Sequence, residues 1–112
     1  MQNFLSILDL DPDRIAKLLE SAAKLKRERV KGMKAPTWNA LNGKHVGMLF
    51  EKPSLRTRVT FEVAMTQLGG TSVYLSAQEI GMGKRETVPD VARNLSRWVD
   101  GVAARVFSHR TL

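Results

Sequence analysis

The segment His45-Val46-Gly47-Met48-Leu49-Phe50-Glu51-Lys52-Pro53-Ser54-Leu55-Arg56-Thr57-Arg58 passes from an apolar run of strand length to a helix start across one short turn. No charge interrupts Val46 to Phe50, which suits a strand buried on both faces of a parallel sheet. Glu51-Lys52-Pro53 stops the run, because proline has no amide to donate and restricts the residue before it. Ser54 stands where a helix N-cap would, and Phe61, Ala64, Met65 and Leu68 form an apolar stripe behind it. Gly69-Gly70 then ends the helix, supplying residues that accept positive φ. A strand that feeds a helix in this way is the first half of a βαβ crossover.

The pattern continues downstream. Thr71-Ser72-Val73-Tyr74-Leu75 is rich in β-branched and aromatic residues and reads as a second strand, and Ser76 to Arg85 reads as a loop. Thr87 caps a third helix whose apolar face is Val88, Val91, Ala92, Leu95, Trp98 and Val99. Asp100-Gly101 turns the chain into a third strand, Val102 to Phe107. Upstream, Asp11-Pro12-Asp13 opens a first helix that runs to about Lys31, with Ile15, Leu18, Leu19, Ala22 and Leu25 on one face. Helical connections between successive strands predict an α/β fold, an open parallel sheet with flanking helices. Only Ser108 to Leu112 follow the third strand, so residues 1–112 are expected to be an incomplete portion of a larger domain. An uncovered sheet edge and face predict weak stability or association.

The 112 residues carry 18 Lys+Arg against 11 Asp+Glu, a formal charge of +7, with no cysteine. Disulfide frameworks, thiolate metal sites and cysteine nucleophiles are thereby excluded. Charged residues interrupt every apolar stretch well short of the roughly 18 to 20 residues that span a bilayer. The N-terminus lacks a basic-then-apolar leader, so the expectation is a soluble, cytoplasmic protein with no membrane partner. Lys24, Lys26, Arg27, Arg29, Lys31 and Lys34 crowd the end of the first helix, where cations suit the negative end of the dipole. Stacking aromatics are absent from that cluster, which argues for a solvated helix end and against nucleic acid.

Open parallel sheets bind ligands beyond the carboxyl ends of their strands, which directs attention to Ser54-Leu55-Arg56-Thr57-Arg58. There the first amides of a helix, two hydroxyls and two guanidinium groups fall within one turn, a donor set suited to phosphate. The alternative is that Ser54 and Thr57 merely cap the helix. Arg105 interrupts an otherwise apolar third strand, and a buried cation needs an anion. In a parallel sheet it lies near the same edge as Ser54 to Arg58, where it would meet a bound anion, Asp100 or Glu51. Gly81-Met82-Gly83-Lys84 lacks the ending of a P-loop and reads as a mobile loop, although Lys84 and Arg85 could bring charge to a phosphate. His45 and His109 stay outside the chemistry.

Ser54-Leu55-Arg56-Thr57-Arg58 resembles the Ser-x-Arg-Thr-Arg carbamoyl-phosphate motif of the aspartate and ornithine carbamoyltransferases. Phe50-Glu51-Lys52-Pro53, Thr60-Phe61-Glu62, Gln67-Leu68-Gly69-Gly70 and Val99-Asp100-Gly101 leading to Arg105 are similar to the ornithine branch. The resemblance covers nearly the whole chain from Phe4. It implies an N-terminal carbamoyl-phosphate-binding domain, without metal or organic cofactor, from an enzyme that carbamoylates the δ-amine of ornithine to citrulline in arginine metabolism. By position it implies that Ser54, Leu55 through its backbone, Arg56, Thr57 and Arg105 hold carbamoyl phosphate, with Arg56 and Arg105 catalytic. Arg58 would orient. A homotrimer is implied, in which Lys84 and Arg85 approach a neighbouring subunit's phosphate.

Departures accompany the likeness. Leu55 stands where many relatives have threonine, and Gly81 where many ornithine enzymes carry glutamine. The family's His-Pro-x-Gln segment and ornithine-binding domain lie beyond Leu112, so ornithine is an expected ligand only together with that second domain. The 112 residues alone are expected to be inactive. A non-catalytic phosphate-binding module, or one half of a split enzyme, is the alternative.

Overall fold

The computed structural model describes residues 2–112, which divide into two compact units, one ending at Trp38 and the other Asn39–Leu112. In the first, α1 (Pro12–Glu28) begins where the sequence predicts. The Asp11 side chain accepts from the Arg14 amide at 2.8 Å, and Pro12 occupies the first turn, where a missing donor costs nothing. The helix tightens into a 3-10 segment, Arg29–Lys34, that kinks at Gly32 with φ +55. Glu28 is buried there, accepting from Thr37 Oγ1 at 2.8 Å and facing Lys24 Nζ at 3.8 Å. The apolar face of this helix is not buried: Leu18 and Leu19 are exposed and Ile15 is half-buried. A unit with one α-helix has no second layer against which to bury an apolar stripe.

The second unit is built on β1 (His45–Phe50), β2 (Thr71–Ser76) and β3 (Gly101–Arg105), all parallel, in the order β2-β1-β3. Between them run α2 (Leu55–Gln67), a single turn α3 (Ala77–Ile80) and α4 (Val88–Trp98). The central β1 is buried from Gly47 to Phe50, with Met48 0% exposed. Strand alternation assigns the faces. Leu49 joins Ala77, Val91 and Leu95 in the core beneath α4, with Leu75 and Val99 at its margin. Met48 and Phe50 point to the opposite face with Tyr74, where α2 lies.

Thr87 caps α4 by accepting from the Asp90 amide at 3.2 Å, as predicted. Three expectations are corrected. The loop from Ser76 contains α3, one turn capped by the Ser76 hydroxyl and ended by Gly81 at φ +70, too short to carry a periodic signature. The apolar stripe of α2 is not buried, for Phe61 and Ala64 are exposed and Met65 and Leu68 only half-buried. The third strand stops at Arg105 instead of Phe107 and is not a buried strand, because β3 is an outer strand of the sheet.

Candidate functional site

The carboxyl ends of β1 and β3 converge on the start of α2. Register pairs Phe50 with Arg105, so Arg105 sits on the rung of Phe50 and on the face that carries Met48, Phe50 and Tyr74. The amide of Glu51 continues the ladder by donating to the Arg105 carbonyl at 2.8 Å. Just beyond, Lys52 Nζ lies 5.0 Å from the centre of the Phe107 ring, a cation–π contact that ties the turn after β1 to the segment after β3.

Ser54 occupies the N-cap position of α2 in extended backbone, and its carbonyl accepts the first helical bond from the Arg58 amide at 3.1 Å. Its hydroxyl makes no capping bond, unlike the side chains of Asp11, Ser76 and Thr87 at their own helices. The amides of Leu55, Arg56 and Thr57 likewise have no protein acceptor among the described residues. Three donors and a free hydroxyl therefore remain at the positive end of a 13-residue helix. Leu55 is 78% exposed, so it contributes backbone and little packing. Arg56 is exposed, and Thr57 is half-buried beside it.

Arg58 is drawn away from that donor set. Its Nε is 3.1 Å from Glu62 Oε1, one turn along α2, and its guanidinium carbon lies 3.6 Å from the centre of the Tyr74 ring. Arg105 pairs with neither Asp100 nor Glu51. Asp100 is occupied by the His45 amide at 2.8 Å and Lys44 at 3.5 Å, at the other end of the strands, while Glu51 Oε1 is buried with no hydrogen-bond partner among the described residues. No ion pair engages the Arg105 guanidinium among the described residues, and as an exposed group at a strand end it needs none.

The loop cations separate. Arg85 Nη2 donates to the Glu79 carbonyl at 2.8 Å and packs against Gly81, whereas Lys84 is exposed. Sequence reasoning missed Tyr74, Lys52 and Phe107. Strict alternation along β2 would have placed Tyr74 on the α2 face, but no local signal joins Lys52 to Phe107.

This is an α/β domain that leaves three helix-terminal amides and an uncapped hydroxyl at the carboxyl edge of a parallel sheet, a donor set suited to an anion. Residues 2–112 match the family described as aspartate/ornithine carbamoyltransferase, carbamoyl-P binding domain. An ornithine carbamoyltransferase of Thermus thermophilus is 54% identical over 101 residues, 90% of this chain and 32% of its own length. One of a Vibrio species is 49% identical over 112 residues, all of this chain and 36% of its own length. The solved ornithine carbamoyltransferase of Pyrococcus furiosus superimposes with a TM-score of 0.89 at 42% identity, covering 98% of this chain and 34% of that one. The chain belongs to the aspartate/ornithine carbamoyltransferase family and spans about a third of the length of the relatives it matches.

Proposed function

We propose that the chain is the carbamoyl-phosphate-binding part of an ornithine carbamoyltransferase. Supporting this is the state of Ser54: its hydroxyl is not used as a cap, and it stands beside three free amides on the edge that also presents Arg105. In this reading the phosphate sits on the amides of Leu55, Arg56 and Thr57, with the hydroxyls of Ser54 and Thr57 and the guanidinium of Arg56 completing its shell. Arg105 spans phosphate and the carbamoyl oxygen.

The ornithine δ-amine attacks the carbonyl carbon and a C–N bond forms. The tetrahedral intermediate places negative charge on the oxygen facing Arg105. The bond between that carbon and the bridging oxygen then breaks, phosphate departs with that electron pair, and the nitrogen loses its proton to give citrulline. Catalysis of this kind is positioning and charge stabilisation, and the donor set supplies both. Arginine metabolism in the cytoplasm and a trimer with Lys84 reaching a neighbour's phosphate belong to the same proposal. No helix among the described residues is long and apolar enough to cross a membrane.

An amide NMR titration with carbamoyl phosphate tests the site. The expected result is a set of shifts centred on Ser54 to Arg58 and Arg105, abolished in Arg56→Ala; a silent wild type overturns the reading.

A further inference from the structure

We infer that Tyr74 is a positioning residue for the anion site, holding the first turn of α2 in place by clamping Arg58; this rests on the proposed function above. Tyr74 lies opposite Met48 in the parallel register, and Phe50, two residues on, shares its face. The Phe50 and Tyr74 rings meet edge to face, 5.6 Å apart at 85°. Phe50 is 3% exposed, so it gives the Tyr74 ring a fixed neighbour. The Arg58 guanidinium carbon lies 3.6 Å from the centre of the same Tyr74 ring, and Arg58 is held along α2 by Glu62.

Arg58 is also the residue whose amide closes the first turn on the Ser54 carbonyl. The free amides of Leu55, Arg56 and Thr57 lie inside that turn. A side chain locked to the sheet at the turn's last residue therefore sets the angle at which those amides face the strand ends. Phe50 has a second role, for it shares a rung with Arg105. One aromatic pair thus references both halves of the donor set to the same strand. The sheet-side partner is an aromatic face, which attracts a guanidinium without competing for the anion as a carboxylate would.

The test is the affinity of the 112-residue chain for carbamoyl phosphate and for inorganic phosphate, read from the amide shifts of Ser54 to Thr57. Tyr74→Phe keeps the ring and is expected to bind as the wild type does. Tyr74→Leu keeps bulk without a quadrupole and is expected to bind about tenfold more weakly. Arg58→Gln should lose a similar factor, and the double variant no more than either alone, since both break one link. A merely structural tyrosine would give independent, additive losses. Wild-type affinity in Tyr74→Leu, or additivity in the cycle, overturns the inference while leaving the site intact. Should Tyr74→Leu not fold, Arg58→Gln decides alone, because wild-type affinity there breaks the argument. A wild type that responds to neither ligand removes the anion site itself, and the role of Tyr74 with it.

Discussion

The amide of Glu51 donates to the carbonyl of Arg105 over 2.8 Å, which joins the first residue beyond β1 to the last residue of β3. This bond uses only the backbone of Arg105. Its guanidinium is left exposed and free of any ion pair among the described residues, on the sheet face that α2 shares.

Arg105→Ala should therefore separate binding from stability. Removing a charge-assisted donor costs about 1.5 to 3 kcal/mol of binding, or on the order of 10- to 100-fold in affinity for carbamoyl phosphate. Thermal stability should stay within about 0.5 kcal/mol, as for other exposed positions without a structural partner. Titration calorimetry beside thermal melting checks both. Arg105→Lys should recover only part of the affinity, since an ammonium cannot grip two oxygens in a planar fork.

Asp100 acts at the opposite end of the strands. The hydrogen bond from the His45 amide, helped by Lys44, holds its carboxyl below the ordinary 3.8 despite an opposing effect of burial. A depressed folded value means that the group stabilises the chain above its unfolded value and loses that contribution as pH falls through the folded one. Asp100→Asn should lower the melting temperature at pH 7. The two proteins should converge as pH drops below about 3.8. Melting curves across pH 2 to 7 decide; a gap that persists undiminished at the acid end would contradict the assignment.

Gly69 and Gly43 both take positive φ, +84 and +74, but only the first is crowded. A Cβ on Gly69 would meet Asn39 Oδ1 at 2.7 Å and Asn39 Cα at 3.2 Å, whereas nothing lies within 4 Å of one on Gly43. Gly43→Ala should cost about 1 to 2 kcal/mol for the left-handed backbone alone. Gly69→Ala adds overpacking and should cost about 2 to 4 kcal/mol. Denaturant unfolding of both variants tests the difference, and equal losses would mean the contact with Asn39 is readily relieved.

Leu95 and Trp98 share α4 and differ in what they touch. Leu95 is buried against Leu49, Ala77 and Val91, while Trp98 is 70% exposed. Leu95→Ala should cost about 2 to 5 kcal/mol through lost burial and a residual cavity. With seven buried apolar residues among those described, that is a large part of what holds the chain folded. Trp98→Ala should change stability by no more than about 0.5 kcal/mol and should reduce self-association, measured by sedimentation, because an exposed apolar ring leaves the surface.

The elements that are legible in the sequence are those that satisfy themselves locally. His45 to Phe50 reads as a strand because it is apolar throughout and ends at Pro53, and Asp11 and Thr87 read as caps because each bonds to an amide three residues on. Burial is less legible, since it depends on elements brought from elsewhere. Leu18 and Phe61 sit on apolar stripes that are exposed among the described residues, and Val102 to Arg105 reads as buried from its composition although the order β2-β1-β3 leaves it outermost there. Of the site, Ser54 to Thr57 and Arg105 could be named from residue type and strand order. The Tyr74 to Arg58 contact could not, because it depends on where α2 crosses β2.

Ser54 offers the most direct separation of a cap from a ligand-binding residue. At an ordinary N-cap the hydroxyl accepts from an amide in the first turn, and its loss costs about 1 kcal/mol of stability. Thr87 is such a cap, 3.2 Å from the Asp90 amide, so Thr87→Ala should lower stability by about that amount. Ser54 makes no such bond, so Ser54→Ala should leave stability within about 0.3 kcal/mol of the wild type. Its affinity for carbamoyl phosphate should nonetheless fall on the order of 10- to 100-fold, the value of one hydroxyl donor to a charged oxygen. Paired melting and titration of the two variants reads this directly. If Ser54→Ala melts like Thr87→Ala and binds like the wild type, the hydroxyl is a cap in solution, and the site must rest on the amides and arginines without it.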